Sequence, residues 1–244
     1  DKLNDTTLSN PIWKNLLEYR KVISSMLSDG NPNAPQSLES SGYYSGYDST
    51  QQDVIIGAFL CAYKGKFPTV NNISPLSQKI PLPNWRVSFD GLTKIKFIKK
   101  HIKKLIFTHA YRSNFSLGSY TTNLNGQWDN MGNATQRDIA GNYISEKQIM
   151  TLNIMEQFAP LLGMDLTLMN NMSIKLEMKK DRNISLSLSN NQITEVKGSE
   201  MKVGTGYTWK NIQLPIKFAG KSIEPSNLRT RLDISVRDNK TITR

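Results

Sequence analysis

Two carboxylates, two histidines, a glycine pair and a run of lysines are the groupings in this chain whose types and spacing could do chemistry. Asp165 and Glu177 fall at odd positions of stretches whose side chains alternate, so a sheet would set them on one face, as a general acid and base pair requires. Lys175 and Lys179 share that parity, and carboxylates interleaved with lysines describe a solvated mixed-charge face better than a reactive pair. Neither His101 nor His109 stands in the His-Glu-x-x-His spacing of a zinc site. His109, between Thr108 and Ala110 in an extended run, reads as a structural hydrogen-bonding residue. Gly204-Thr205-Gly206 suggests a dinucleotide loop, but no third glycine follows and Tyr207-Thr208-Trp209 continues as a strand. No nucleophile elbow or Walker loop is present. Cys61, the single cysteine, permits neither an internal disulfide nor a thiolate zinc cluster. No catalytic residue, cofactor site or metal ligand is therefore expected.

The lysines Lys94, Lys96, Lys99, Lys100, Lys103 and Lys104 are interleaved with Ile95, Phe97, Ile98 and Ile102. A solvated connection with its apolar residues tucked beneath is the plainest reading. Contact with anionic lipid headgroups comes second, with Lys99, Lys100, Lys103 and Lys104 as the candidates, because the apolar neighbours could reach inward from a membrane surface. Nucleic acid is a distant third, since only Phe97 is offered for base stacking.

The elements that must position these groups are strands. From Met164 to Leu188 the apolar residues fall almost entirely on even numbers: Met164, Leu166, Leu168, Met172, Ile174, Leu176, Met178, Ile184, Leu186 and Leu188. The odd positions carry Asp165, Thr167, Ser173, Lys175, Glu177, Lys179, Ser185 and Ser187. A period of two separates the sets onto opposite faces of a sheet. Asn170-Asn171 and Asp181-Arg182-Asn183 are expected to be the turns of this meander, which runs from about Leu161 to Trp209. Trp85, Val87 and Phe89 alternate likewise, as do Leu228, Leu232, Ile234 and Val236. Phe107, Tyr111, Phe115 and Leu117 share odd numbers, and Leu214, Ile216 and Phe218 alternate around Pro215, which suggests an edge, a bulge or a loop. Residues 121–145 are polar and read as one long loop.

The first third is helical in grammar. Asn10-Pro11 would start a helix, Ile12, Leu16, Tyr19, Ile23 and Met26 follow at helical spacing, and Gly30 ends it. Ser49 and Gln52 could form a capping box for a second helix from Thr50 to Lys64, stopped by Gly65. Its centre is apolar nearly all round, so it should be buried.

The net charge of +11 over 244 residues suits anionic partners such as lipid headgroups, nucleic acid or an acidic polymer. No apolar stretch approaches the roughly 18 residues of a membrane-spanning helix, a test that does not touch barrels. The chain opens at Asp1 without a signal-peptide pattern and runs to Arg244 in what reads as another strand, so a portion of a longer protein is expected. Very short turns joined with long connections are the asymmetry of an outer-membrane barrel.

Several runs resemble one family closely. They are Pro81-Leu82-Pro83-Asn84-Trp85-Arg86-Val87-Ser88-Phe89-Asp90-Gly91-Leu92, His109-Ala110-Tyr111-Arg112-Ser113, and Ser116-Leu117-Gly118-Ser119-Tyr120. Ser187-Leu188-Ser189-Asn190-Asn191-Gln192-Ile193-Thr194-Glu195-Val196 and Arg237-Asp238-Asn239-Lys240-Thr241 belong with them. From about Gly46 onward the chain resembles the C-terminal region of the SprA/Sov family, the outer-membrane translocons of type IX secretion in Bacteroidota, some first named for gliding motility. The resemblance implies a very large single-chain barrel in the bacterial outer membrane that exports folded cargo proteins bearing C-terminal sorting domains. Its implied partners are that cargo, a PorV-type outer-membrane barrel protein, a periplasmic plug protein and membrane lipid or lipopolysaccharide. It implies no enzyme activity, no cofactor and no nucleic acid.

The fold class expected is thus all-β, part of a very large transmembrane antiparallel β-barrel with two short helices near the start. Residues 1–80 form a helix-containing loop region, and 81–244 form barrel strands with long loops. Leu166, Leu168, Ile174, Leu176, Ile184, Leu186 and Leu188 would face lipid; Asp165, Lys175, Glu177 and Lys179 would line the lumen. The rival reading is a soluble β-rich surface binding domain, an adhesin or carbohydrate-binding module, in which the aliphatic face packs on a second layer. An outer-membrane enzyme or nutrient-transporter barrel is a further rival, for which no cluster of acidic and nucleophilic side chains is found.

Overall fold

In the computed structural model, residues 15–74, 83–212, 217–218, 221–222 and 225–243 are described. Asn10-Pro11, Ile12, Pro81-Leu82, Leu214, Pro215 and Ile216 lie outside them.

The chain is mostly antiparallel sheet. Helices α1 (Leu16–Gly30) and α2 (Gln52–Lys64) come first. Strand β1 (Trp85–Phe89) follows, then a 3-10 turn at Gly91–Lys94, the short α3 (Lys96–Lys99) and β2 (Ile102–Gly118). Two-residue strands β3 (Thr121–Thr122) and β4 (Lys147–Gln148) pair with each other. The long strands β5 (Thr151–Leu168), β6 (Met172–Ser187) and β7 (Gln192–Ile212) come next. The small hairpin of β8 (Lys217–Phe218) and β9 (Lys221–Ser222) and then β10 (Ser226–Thr243) complete the order. One open six-stranded antiparallel sheet has the order β1-β2-β5-β6-β7-β10.

The expected turn at Asp181-Arg182-Asn183 does not exist. These residues sit inside β6, opposite Gln157, Glu156 and Met155 on one side and Gly198, Lys197 and Val196 on the other. Their turn propensity is overridden by tertiary pairing. Asp181 reaches Arg237 at 3.6 Å, Arg182 binds Glu195 at 2.6 Å, and Gly198 leaves room for the Asp181 carboxylate. The turn falls instead at 188–191, where Asn191 adopts φ +54°. Asn170-Asn171 does turn the chain, with Asn171 at φ +67°, a conformation asparagine tolerates.

Helix α2 is capped by Gln51 rather than Ser49. The Gln51 side-chain oxygen accepts from the Asp53 and Val54 amides, while its Nε2 donates to the Tyr143 carbonyl and Ser145 Oγ. One side chain thus satisfies two orphan amides and ties the helix to the loop after β3. Gly65 ends α2 at φ +62°. As the all-round apolar pattern requires, α2 is buried on both sides. Ile55, Ile56, Phe59 and Leu60 pack on the sheet, and Val54, Ala58 and Cys61 pack on Tyr19 and Ile23 of α1.

The polar stretch 121–145 is, after the two residues of β3, the long loop expected, and it is ordered into turns. Residues 127–135 and 136–144 are tandem nine-residue turns, Gln-Trp-Asp-Asn-Met-Gly-Asn-Ala-Thr and Gln-Arg-Asp-Ile-Ala-Gly-Asn-Tyr-Ile. In each, an isolated bridge (Trp128 with Ala134, Arg137 with Tyr143) closes over a glycine at positive φ. Residues 37–45 repeat the geometry, with a bridge between Leu38 and Tyr44 and Gly42 at φ +81°. Tyr143 is buried against Tyr47, with ring centroids 5.3 Å apart, and joins the core between α1 and α2.

Candidate functional site

Antiparallel register assigns every long-strand residue to one of two faces. On the first face lie the odd residues of β1, β2 and β7 and the even residues of β5, β6 and β10. Each paired row crosses the strands. One row runs Phe107, Met164, Leu176, Val203 and Ile234; the next toward the helices runs Leu162, Met178, Met201 and Val236. Leu166 and Ile174, expected to face lipid, stand in the adjoining row with Leu105 and Leu232, and Leu168 pairs with Ile102 at its margin. Together they form an apolar belt across the sheet.

The belt is half-exposed to exposed except at Leu105, which is buried. Met201 is 51% and Ile234 61% accessible, values unusual for large apolar side chains that share a continuous patch. Aromatic side chains border it at both ends. Tyr207 and Trp209 pack edge to face at 4.7 Å at one end. At the other, Trp85 stacks on Tyr111 at 4.5 Å and Tyr111 meets Phe158 at 5.0 Å. Ser199 shares a row with Lys180, which pairs with Phe158, and the span from Ser199 to Tyr207 along β7 is roughly 27 Å at about 3.4 Å per residue.

Beyond the second aromatic border the same face changes character twice. First comes a charged row of Glu156, Arg182, Lys197 and Lys240. Then come Ile154, Ile184, Leu152, Leu186 and Ile193, covered by α2. Ile184 and Leu186, expected to meet lipid, are 0% exposed in this protein core, and Leu188 packs against it. The even-numbered alternation is therefore two surfaces in series. The break between them is carried by Lys180 and Arg182, whose even positions were concealed by reading 181–183 as a turn.

Between belt and core lies the most buried charge of the sheet. Glu195 is 1% exposed and accepts from Arg182 Nε at 2.6 Å and Lys197 Nζ at 3.2 Å. Glu156 accepts from the phenols of Tyr63 at 2.8 Å and Tyr111 at 3.1 Å and lies 3.6 Å from Arg182. Burial and the Glu156 carboxylate push the Tyr63 phenol well above its ordinary range, so it stays a donor and ties α2 to β5.

His109 faces the belt. Its Nδ1 donates to the Leu161 carbonyl at 2.6 Å, beside the irregular register at 158–162 that leaves this carbonyl out of the ladder. That is the structural role expected of it.

The opposite face is polar over the same height. Asp165 pairs with Lys175, and Lys175 sits beside Glu177 at 3.5 Å. Glu177 binds Lys179 at 3.2 Å, Lys179 approaches Glu200 at 3.8 Å, and Glu200 binds Lys202 at 3.0 Å. All four expected lumen residues are thus on one face, meshed with charges from β7. Gly204 has Asp233 lying over it, and Gly206 has Ser173. The glycine pair makes space for neighbouring side chains within β7, and no loop forms there. Such a mesh holds no aligned nucleophile and base. Among the described residues, no group of three His, Cys, Asp or Glu side chains is placed to hold a metal.

The candidate headgroup lysines are all exposed at the end of the sheet that carries Tyr207 and Trp209. Lys99 closes α3, Lys100 follows it, and Lys103 lies at the start of β2. Lys104 pairs with Thr167 and so belongs to the polar face, apart from the belt. By sequence, Trp85, Tyr207 and Trp209 near strand ends suit interfacial girdles and equally an ordinary core. The partnership of Trp85 with Tyr111 and Phe158, the charged row and the buried Glu195 were not singled out, and alternation alone does not separate a covered apolar row from a bare one. No family model matches the chain, and no curated protein matches it.

Proposed function

We propose that this chain is a stretch of the wall of a transmembrane β-barrel in the bacterial outer membrane, and that the barrel is a protein-conducting translocon of the type IX kind. The observation that carries the reading is the exposed apolar belt, about as tall as the roughly 25 Å lipid-facing band of such barrels and framed by aromatic side chains on both borders. In hydrocarbon the belt needs no protein cover, and the charged face behind it lines water. A mixed-charge wall gives folded cargo little apolar surface to adhere to. Export of cargo with C-terminal sorting domains, and the PorV-type and plug partners, enter through the family resemblance of the motifs that build β1, β2, the β6–β7 turn and β10.

The open edge of β10 fits the same reading. Among the described residues it pairs with β7 along one edge only, and a long unpaired edge is stable in a membrane only if further strands close the sheet.

Deletion of the gene tests the function. Sorting-domain cargo should accumulate in the periplasm and vanish from the surface and the medium; unimpaired secretion in a clean deletion would refute the proposal.

The rival, a soluble β-rich binding domain, has one observation in its favour. The rows under α2 show that part of this face is protein core. It requires the full-length protein to stay monodisperse in buffer without detergent, and an exposed belt of this size predicts aggregation instead.

A further inference from the structure

We infer that the cavity between the second aromatic border and the charged row is a binding site for a phosphorylated lipid headgroup, whose acyl chains lie down the belt. This rests on the barrel reading above. The cavity holds about 510 Å³, and its floor is apolar, formed by Trp85, Tyr111 and Phe158. Its rim carries Lys180, Lys197, Lys240 and Arg182.

The charges at this rim are unequal in their commitments. Arg182 and Lys197 are held by Glu195, and Arg182 also lies near Glu156. Among the described residues no carboxylate comes within ion-pair distance of Lys180 or Lys240. Asp238, which shares the row of Lys180 and Ser199, and Asp181, which reaches Arg237 at 3.6 Å, are the other acidic residues of the lining. Two uncommitted ammonium groups over an aromatic floor match a ligand that is anionic at one end and apolar at the other.

Position selects the ligand class. The cavity opens where the apolar belt stops, at the height where lipid phosphates begin, and below the edge of α2 set by the Tyr63–Glu156 bond. A soluble phosphate ester would use the lysines and leave the aromatic floor unfilled. A lipid carrying a phosphate on its headgroup uses both. The longest connection, residues 119–150, and helix α2 stand at this end of the sheet, and outer-membrane barrels turn their longer loops outward, so the lipid of that leaflet with phosphate on its sugar headgroup is the occupant.

The test uses the full-length protein in detergent and three probes: bisphosphorylated lipid A, its dephosphorylated form and inorganic phosphate. Flotation with lipid vesicles is measured alongside. Lys180→Gln with Lys240→Gln should weaken retention of bisphosphorylated lipid A about 30-fold, the product expected for two basic residues at a charged surface. Lys180→Arg with Lys240→Arg should retain it, and Lys21→Gln with Lys66→Gln, exposed lysines outside the cavity lining, should leave it unchanged. Dephosphorylated lipid A should bind as weakly to the native protein as the phosphorylated form binds to the glutamine variant. Equal retention by native and glutamine variants overturns the proposal, as does inorganic phosphate that displaces the lipid fully at equal concentration. Protein that does not float with vesicles refutes the barrel reading and this site with it; protein that floats but does not distinguish the probes refutes the site alone.

Discussion

Arg182 of β6 donates its Nε–H to Glu195 of β7 at 2.6 Å, and the carboxylate it holds is almost wholly shielded from solvent. The pair stands on the boundary between bare belt and helix-covered core. It is one face of one sheet, and this bond marks where the surroundings change from an uncovered apolar surface to packed protein.

Removing one partner should therefore be costly. Arg182→Ala takes from the buried Glu195 its 2.6 Å ion-pair partner, and breaking a buried pair in this way costs about 3–5 kcal/mol. Arg182→Met combined with Glu195→Leu removes both charges and should restore most of that loss. Urea unfolding of the purified protein in detergent measures both, and a double variant as weak as the single would show that the charge itself is not what matters.

Belt and core should answer differently to the same substitution. Leu176→Arg sits mid-belt, where an arginine facing lipid costs roughly 2–4 kcal/mol, and it should lower the yield of protein inserted in the outer membrane. Lys175→Leu on the polar face should be milder. Leu186→Arg should instead release α2, because Leu186 packs against it with no room for a charge. Limited proteolysis near Gly65 reads that release, and protease resistance equal to that of the native protein would count against a covered row.

The alternation from Met164 to Met178 was legible because a period of two survives wherever each strand has one apolar face; Leu176 and Met178 read correctly from type alone. What covers that face was not legible. Ile174 and Ile184 have the same residue type and parity, and only the fold tells that α2 reaches one and not the other. The tie between α2 and the loop after β3, Gln51 to Tyr143, spans 92 positions and leaves no local trace. Asp181 and Asn183 misled because turn preference is a local signal, while Gly198 across the ladder makes room for the Asp181 side chain in a strand. The two nine-residue turns lie in 127–144 as a repeat masked by its polar composition. Of the candidate site, the polar mesh was legible from charge at odd positions; the lysine-rimmed cavity was not, since it draws its floor from β1, β2 and β5 and its rim from β6, β7 and β10.

Gly198 makes a sharp probe of the polar face. A Cβ at this position would meet both carboxylate oxygens of Asp181 at 2.6 Å. Gly198→Val should force Asp181 away from Arg237 and cost about 1–3 kcal/mol through overpacking. Asp181→Ala in the same chain should relieve most of it. Thermal melts of the two single variants and the double variant give the coupling; strict additivity would mean that the clash is absent.

The turn at 127–135 should have its own acid limit. Asp129 accepts from the Met131 and Asn133 amides at 2.9 Å each, and Asn33 Nδ2 donates to its other oxygen at 3.0 Å. These donors, the Asn133 amide first, hold its carboxyl down at about 2. A carboxyl lowered on folding supports the folded turn fully above its unfolded value near 4 and loses that support as pH falls toward 2. The Met131 and Asn133 amides should thus stay protected from hydrogen exchange at pH about 4 and lose protection between about 4 and 2, ahead of amides in β6. Asp129→Asn should weaken that protection at neutral pH and remove its pH dependence in this window. Protection that persists unchanged to a pH of about 2 in the native protein would show that the Asp129 carboxylate does not hold the turn.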